Sequence, residues 1–118
     1  MPRFPLFTDN HLRQQLIDGL ILRAWDVQRA IDAFPERTLD SVLFSYAAEQ
    51  QRVFVTNDNR IPATGERWLE QGKTFTGLIV WELELHRRLS EGWFIKKFEE
   101  LAEEDDPFLY PIRHFNPD

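Results

Sequence analysis

The feature that most restricts this chain is an alternation, in which short apolar runs bounded by turn residues recur between stretches of helical apolar spacing. Runs of this kind suit strands buried on both faces, and buried strands separated by helices imply a mainly parallel sheet with helices packed over it. The expected strands are residues 4–8, a weaker one at 25–30 around Val27, Val53-Phe54-Val55, and Leu78-Ile79-Val80-Trp81. The last is the most apolar and is expected inside the sheet.

Between the runs, Leu12, Leu16, Ile17, Leu20 and Ile21 recur on one helical face, with Asn10 as the expected N-cap. A second helix is predicted from Thr38 as N-cap, Asp40 in the first turn, and Leu39, Val42, Leu43, Tyr46 and Ala47 as the apolar stripe. Residues 34–37 read as a loop, 56–60 as a strand-to-helix loop, and Trp68 and Leu69 mark a short helical patch before a turn at 72–77. Apolar positions at 83–89 fall out of phase with those at 94–102, which predicts a break near 90–92. The acidic run 99–106 is expected to end a helix in solvent, and residues 107–118 to add an edge strand limited by Pro111 and Pro117. The expectation is an α/β protein, a three-layer α/β/α sandwich, with residues 1–118 forming one domain.

Composition narrows the function. Of 118 residues, 42% are hydrophobic, and ten Phe and four Trp supply the apolar surface that a disordered chain lacks. With no Cys there is neither a disulfide framework nor a cysteine-based zinc site, and a cytoplasmic protein is expected. No apolar run has the length of a bilayer span, so no membrane partner is expected. The net charge of −6 disfavours a generic nucleic-acid binder, although a metal-dependent nuclease also concentrates carboxylates, with divalent cations screening the phosphate.

In an open parallel sheet, ligands lie off the carboxyl ends of the strands. Asp9 follows the first expected strand, Asp58 the third and Glu82 the fourth, while Asp40 starts a helix beside its apolar stripe. Carboxylates are hard ligands suited to Mg2+ or Mn2+, and crowded like charges call for such a cation. A bound ion would polarise a phosphoryl oxygen and activate a water, so the chemistry implied is phosphodiester hydrolysis. Each acid also has a plain reading: Asp40 as a helix-terminal charge, Asp58 as an Asx-turn residue and Glu82 as a solvated surface group. Arg60 is a candidate phosphate contact, His11 a candidate proton shuttle or merely a surface residue, and His86-Arg87-Arg88 the one compact basic cluster.

Taken together, Thr8-Asp9-Asn10, Asp26-Val27, Leu39-Asp40-Ser41-Val42-Leu43, Ala47-Ala48-Glu49, Arg52-Val53-Phe54-Val55-Thr56-Asn57-Asp58 and Gly77-Leu78-Ile79-Val80 resemble the PIN-like family of toxin-related proteins over roughly the first eighty residues. The resemblance implies a PIN-like sandwich with acids around Mg2+ or Mn2+ and an endoribonuclease acting on RNA, as the toxin of a toxin–antitoxin pair with an antitoxin protein as partner. Asp9, Asp40 and Asp58 match the family's acidic positions as catalytic and metal-binding residues. Glu82 is a fourth candidate ligand, and Asn10, Asn57 and Asn59 are candidate neutral-oxygen ligands, Asn10 and Asn57 also candidate substrate contacts. Relatives of this fold dimerise, so a homodimer is a further expectation. Two acids of the family pattern are missing, since the chain has Asp9-Asn10-His11 and Asn57-Asp58-Asn59-Arg60. Fewer carboxylates weaken an oxygen-ligand site, which keeps a second reading open: a catalytically degenerate PIN-like module that binds protein or nucleic acid.

Overall fold

A computed structural model describes residues 3–117 and shows an α/β protein with one five-stranded sheet. The strands are β1 (Leu6–Thr8), β2 (Val27–Arg29), β3 (Val53–Thr56), β4 (Gly77–Val80) and β5 (Ile112–His114). They lie in the order β2-β1-β3-β4-β5, and each neighbouring pair is parallel. Helices α1 (Gln14–Leu22), α2 (Ala30–Ala33), α3 (Asp40–Glu49), α4 (Ile61–Glu70), α5 (Leu83–Arg88) and α6 (Glu91–Ala102) make the connections, up to the loop that leads into β5.

Side chains alternate across each strand, so a parallel sheet covered on both sides needs apolar residues in both phases. Leu6, Val53, Val55 and Ile79 meet Leu16, Leu20, Leu85, Phe94 and Phe98, from α1, α5 and α6, in one core. On the other face Phe7, Phe54 and Leu78 meet Leu43, Phe44, Ala47 and Ile61 from α3 and α4. These two cores are the outer contacts of a three-layer α/β/α sandwich. Among the described residues, no helix is long and apolar enough to cross a membrane.

Several local expectations need correction. Helix α1 starts at Gln14 behind Arg13, and Asn10 lies in the preceding loop and caps nothing. The cap of α3 is Leu39, while the Thr38 hydroxyl turns back to the Pro35 carbonyl. The buried face of α3 is Leu43, Phe44 and Ala47; Leu39 and Val42, assigned to the apolar stripe, are exposed. The choice of Phe44 over Val42 is set by aromatic packing, because the Phe44 ring lies edge-on to Phe54, Trp68 and Phe75. This rotation leaves Asp40, three and four residues before Leu43 and Phe44, half-buried on the sheet-facing side of its helix. The patch near Trp68 is a full helix, α4, and a single turn of helix, α2, follows β2 directly. The break between α5 and α6 falls at Leu89 and Ser90, with the Ser90 hydroxyl accepting from the Trp93 backbone.

The basic triplet at 86–88 is also corrected, because His86 is buried and only Arg87 and Arg88 reach solvent. Its Nδ1 faces the Trp81 indole N–H at 3.2 Å and its Nε2 faces the Arg13 backbone N–H at 3.1 Å. A neutral imidazole accepts at one nitrogen and an imidazolium at neither, so this pocket rejects the added proton. Burial, and then the Arg13 charge, push His86 down to about 4, with Glu91 opposing weakly.

Two outcomes follow from this packing. A Cβ built on Gly77 would lie 2.5 Å from Phe108 Cδ1, and that ring is itself edge-on to Phe4. Gly77→Ala is therefore expected to lower stability by about 1–3 kcal/mol in chemical denaturation, and an unshifted midpoint would show that Phe108 yields freely. For His86 the folded pKa lies below the unfolded 6.5, so its contribution is present above pH 6.5 and is lost as pH falls towards about 4. The loss should approach about 3 kcal/mol in the wild type and be absent from His86→Gln, measured by urea midpoints between pH 7 and pH 4.

Candidate functional site at the carboxyl edge of the sheet

In this strand order, chain connections leave β1 and β3 towards opposite faces, and a crevice opens between their carboxyl ends. Asp9 and the segment 56–58 stand there. The Asp9 backbone N–H donates to the Val55 carbonyl at 3.0 Å, which extends the β1–β3 pairing one residue past Thr8. Its side chain is only 4% exposed, unusual for a carboxylate, and Oδ2 accepts a 2.7 Å hydrogen bond from the Thr56 hydroxyl. The same hydroxyl oxygen accepts from the Asp58 backbone N–H at 3.0 Å. One threonine thus sets the spacing of two acids.

Asp58 begins an Asx turn, with Oδ1 accepting from the Arg60 backbone N–H at 2.9 Å. The Arg60 side chain then closes on the same carboxylate, Nε on Oδ1 at 3.0 Å and Nη2 on Oδ2 at 2.7 Å. Nη2 also lies 3.9 Å from Asp40 Oδ2, so one guanidinium spans both acids. The hydrogen bonds from Arg60 hold Asp58 below the usual carboxylate range, against the opposing effect of burial. Asp40 is shifted the other way, first by burial and then by the charges of Asp58 and Asp9, with Arg60 only partly offsetting them. The Asp40 carboxyl is thus affected by the charges of both Asp58 and Asp9.

Glu82 is not brought to them. It precedes α5 with an exposed side chain, and the strand it follows, β4, is separated from β1 by β3. Asn57 is buried, and its amide nitrogen is 3.4 Å from the His11 carbonyl, a long contact between the two loops. Asn10, His11 and Asn59 are exposed.

Two clefts flank this edge. One, of about 640 Å³, is lined by Asp9, Asn10, His11, Asp40, Arg29 and Arg37, with Leu12, Ile17 and Leu43 among its apolar residues. The other, of about 510 Å³, is lined by His11, Asn57, Asp58, Asn59, Leu83 and Arg87. His11 borders both. Arg29 is paired with Asp32, whereas among the described residues neither Arg37 nor Arg87 forms an ion pair.

The carboxylate chemistry suits a hard cation, but the arrangement does not. Among the described residues, no group of three His, Cys, Asp or Glu side chains gathers closely enough to hold a metal ion. Both oxygens of Asp58 are occupied by Arg60. As arranged, these residues fit a guanidinium and not Mg2+ or Mn2+.

Sequence reasoning missed Thr56, Arg29, Arg37 and the His86–Trp81 anchor. Thr56 carried a usable signal as the last residue of a buried strand, where a hydroxyl needs a partner. His86 carried none, since its neighbours Arg87 and Arg88 suggested a surface cluster. No protein-family model, curated protein or solved structure matches the chain.

The coupling of the acids is open to direct measurement. In Asp58→Asn the Asp40 carboxyl loses a like charge and Arg60 becomes free to pair with it, and both changes favour the ionised form. Side-chain carboxyl NMR should show Asp40 titrating at lower pH than in the wild type. An unmoved Asp40 titration would mean that the two groups are independent.

Proposed function

We propose that this chain is a PIN-like protein of the cytoplasm that binds single-stranded RNA along the carboxyl edge of its sheet without cutting it. The observation that carries the reading is the pair of clefts that share His11, each lined by an arginine that forms no ion pair among the described residues, while Arg60 neutralises Asp58 in the wall of the second. Arg37 and Arg87 are free to pair with phosphates on either side of the centre, in the two-pronged geometry that guanidinium allows. His11 presents an exposed ring where the clefts meet, suited to stacking against a base, and Asn10 and Asn59 supply amides for base edges. The net charge of −6 keeps such binding weak and strongly salt-dependent.

A metal-dependent endoribonuclease, the toxin of a pair silenced by an antitoxin protein, is the second reading. One observation favours it: Asp9 is kept almost fully buried beside Asp40, whose carboxyl is raised in part by Asp58 and Asp9. In that reading Arg60 must first leave Asp58.

Fluorescence anisotropy with a labelled single-stranded RNA in EDTA tests the first reading, and adding Mn2+ to the same mixture tests the second. Binding is expected at low salt, weakened in Arg37→Ala and Arg87→Ala, with the slope of log K against log salt reduced by about 0.7 for each lost contact. The RNA is expected to stay intact with Mn2+ present. Absence of binding at low salt rejects the first reading, and Mn2+-dependent cleavage lost in Asp9→Asn establishes the second.

A further inference from the structure

We propose that the Arg60 guanidinium takes the place of a divalent cation at this acid cluster, so that the resting site is independent of metal. The inference concerns the acids alone and stands apart from RNA binding. It rests on geometry: Nε and Nη2 engage the two oxygens of Asp58 at 3.0 and 2.7 Å, and Nη2 reaches Asp40 at 3.9 Å. A metal ion coordinated by Asp58 would need the same oxygens and would meet the guanidinium's positive charge.

Local chain geometry makes the competition one-sided. Arg60 lies two residues from Asp58, and its own backbone N–H already holds Oδ1 at 2.9 Å, so the turn that presents the carboxylate also presents the arginine. A tethered cation acts at an effective concentration on the order of millimolar without any loss of translational freedom on contact. A free ion must exceed that, and must do so with two neutral asparagines, Asn10 and Asn59, flanking the acids where further carboxylates would raise affinity. The planar fork matters as well as the charge, because it fills both oxygens of one carboxylate.

The test is a titration of the full chain with Mn2+ alone, read by calorimetry and by the thermal midpoint, for the wild type, Arg60→Gln and Arg60→Gln/Asp58→Asn. Circular dichroism of the metal-free variants checks that they fold. The wild type is expected to show no saturable binding at millimolar Mn2+ and no rise in midpoint. Arg60→Gln should bind at least about tenfold more tightly than the wild type, with a raised midpoint, and the double variant should lose both effects. Should Arg60→Gln fail to fold, Arg60→Lys keeps the charge without the fork and is expected to bind Mn2+ more tightly than the wild type. Saturable Mn2+ binding by the wild type that disappears in Asp9→Asn overturns the proposal. So does a folded variant at position 60 that gains no Mn2+ response.

Discussion

The Thr56 hydroxyl is the atom on which the site depends. It donates to a carboxylate at the end of β1 and accepts from the backbone that leads out of β3, so it joins the two strands that diverge at the crevice. Strand pairing alone would hold Asp9 and Asp58 in register but leave the Asp9 carboxylate buried without a donor. A buried polar group without a partner is costly, and the Thr56 hydroxyl supplies the partner. The cluster is thus a consequence of the β1–β3 pairing carried one residue beyond the strands.

A second constraint acts from the opposite face. The loop after β1 reaches α1 through Arg13, whose backbone N–H meets His86 and whose guanidinium bonds the Leu89 carbonyl at 2.9 Å. His86 is in turn set by Trp81, stacked parallel on Phe115 at 5.6 Å. The aromatic core below β4 and β5 therefore determines where residues 9–13 lie, including the wall shared by the two clefts. Acidification should reach the site by this route, since protonating His86 removes the acceptor that holds the start of α1.

How much of this was legible in sequence depends on the kind of contact involved. The parallel sheet and the order of strands and helices along the chain were readable, because they follow from apolar runs that need burial on both faces. Asp9, Asp40 and Asp58 were singled out by the same logic, as acids close to strand ends or on a helix next to its buried face. Glu82 satisfied that rule too, yet it is exposed at the start of α5, and spatial strand order, which no local pattern contains, puts β3 between its strand and β1. The rotation of α3 was illegible for a related reason: Val42 and Phe44 are both apolar, and only the rings of Phe54, Trp68 and Phe75 on other elements decide between them. Arg60 was read as a phosphate contact from its position beyond Asp58, a position that equally lets it fold back.

That folding back changes what an acidic edge implies. Three carboxylates at a crevice ordinarily call for an external cation, and with none the cluster would repel itself and bring Asp40 towards its neutral form. Arg60 relieves part of this repulsion from within the chain, lowering Asp58 while leaving Asp40 raised. The asymmetry follows first from the burial of Asp40 and then from distance, since the guanidinium is in hydrogen-bond contact with Asp58 and 3.9 Å from Asp40. Under the proposed reading it also reconciles an acidic protein with a nucleic-acid ligand. On that reading, a polyanion approaching this edge meets an Asp58 paired with Arg60 and two arginines that form no ion pair among the described residues. The hydrogen bonds of the Asx turn hold Arg60 against Asp58, so the charge of that acid is met from within the chain itself.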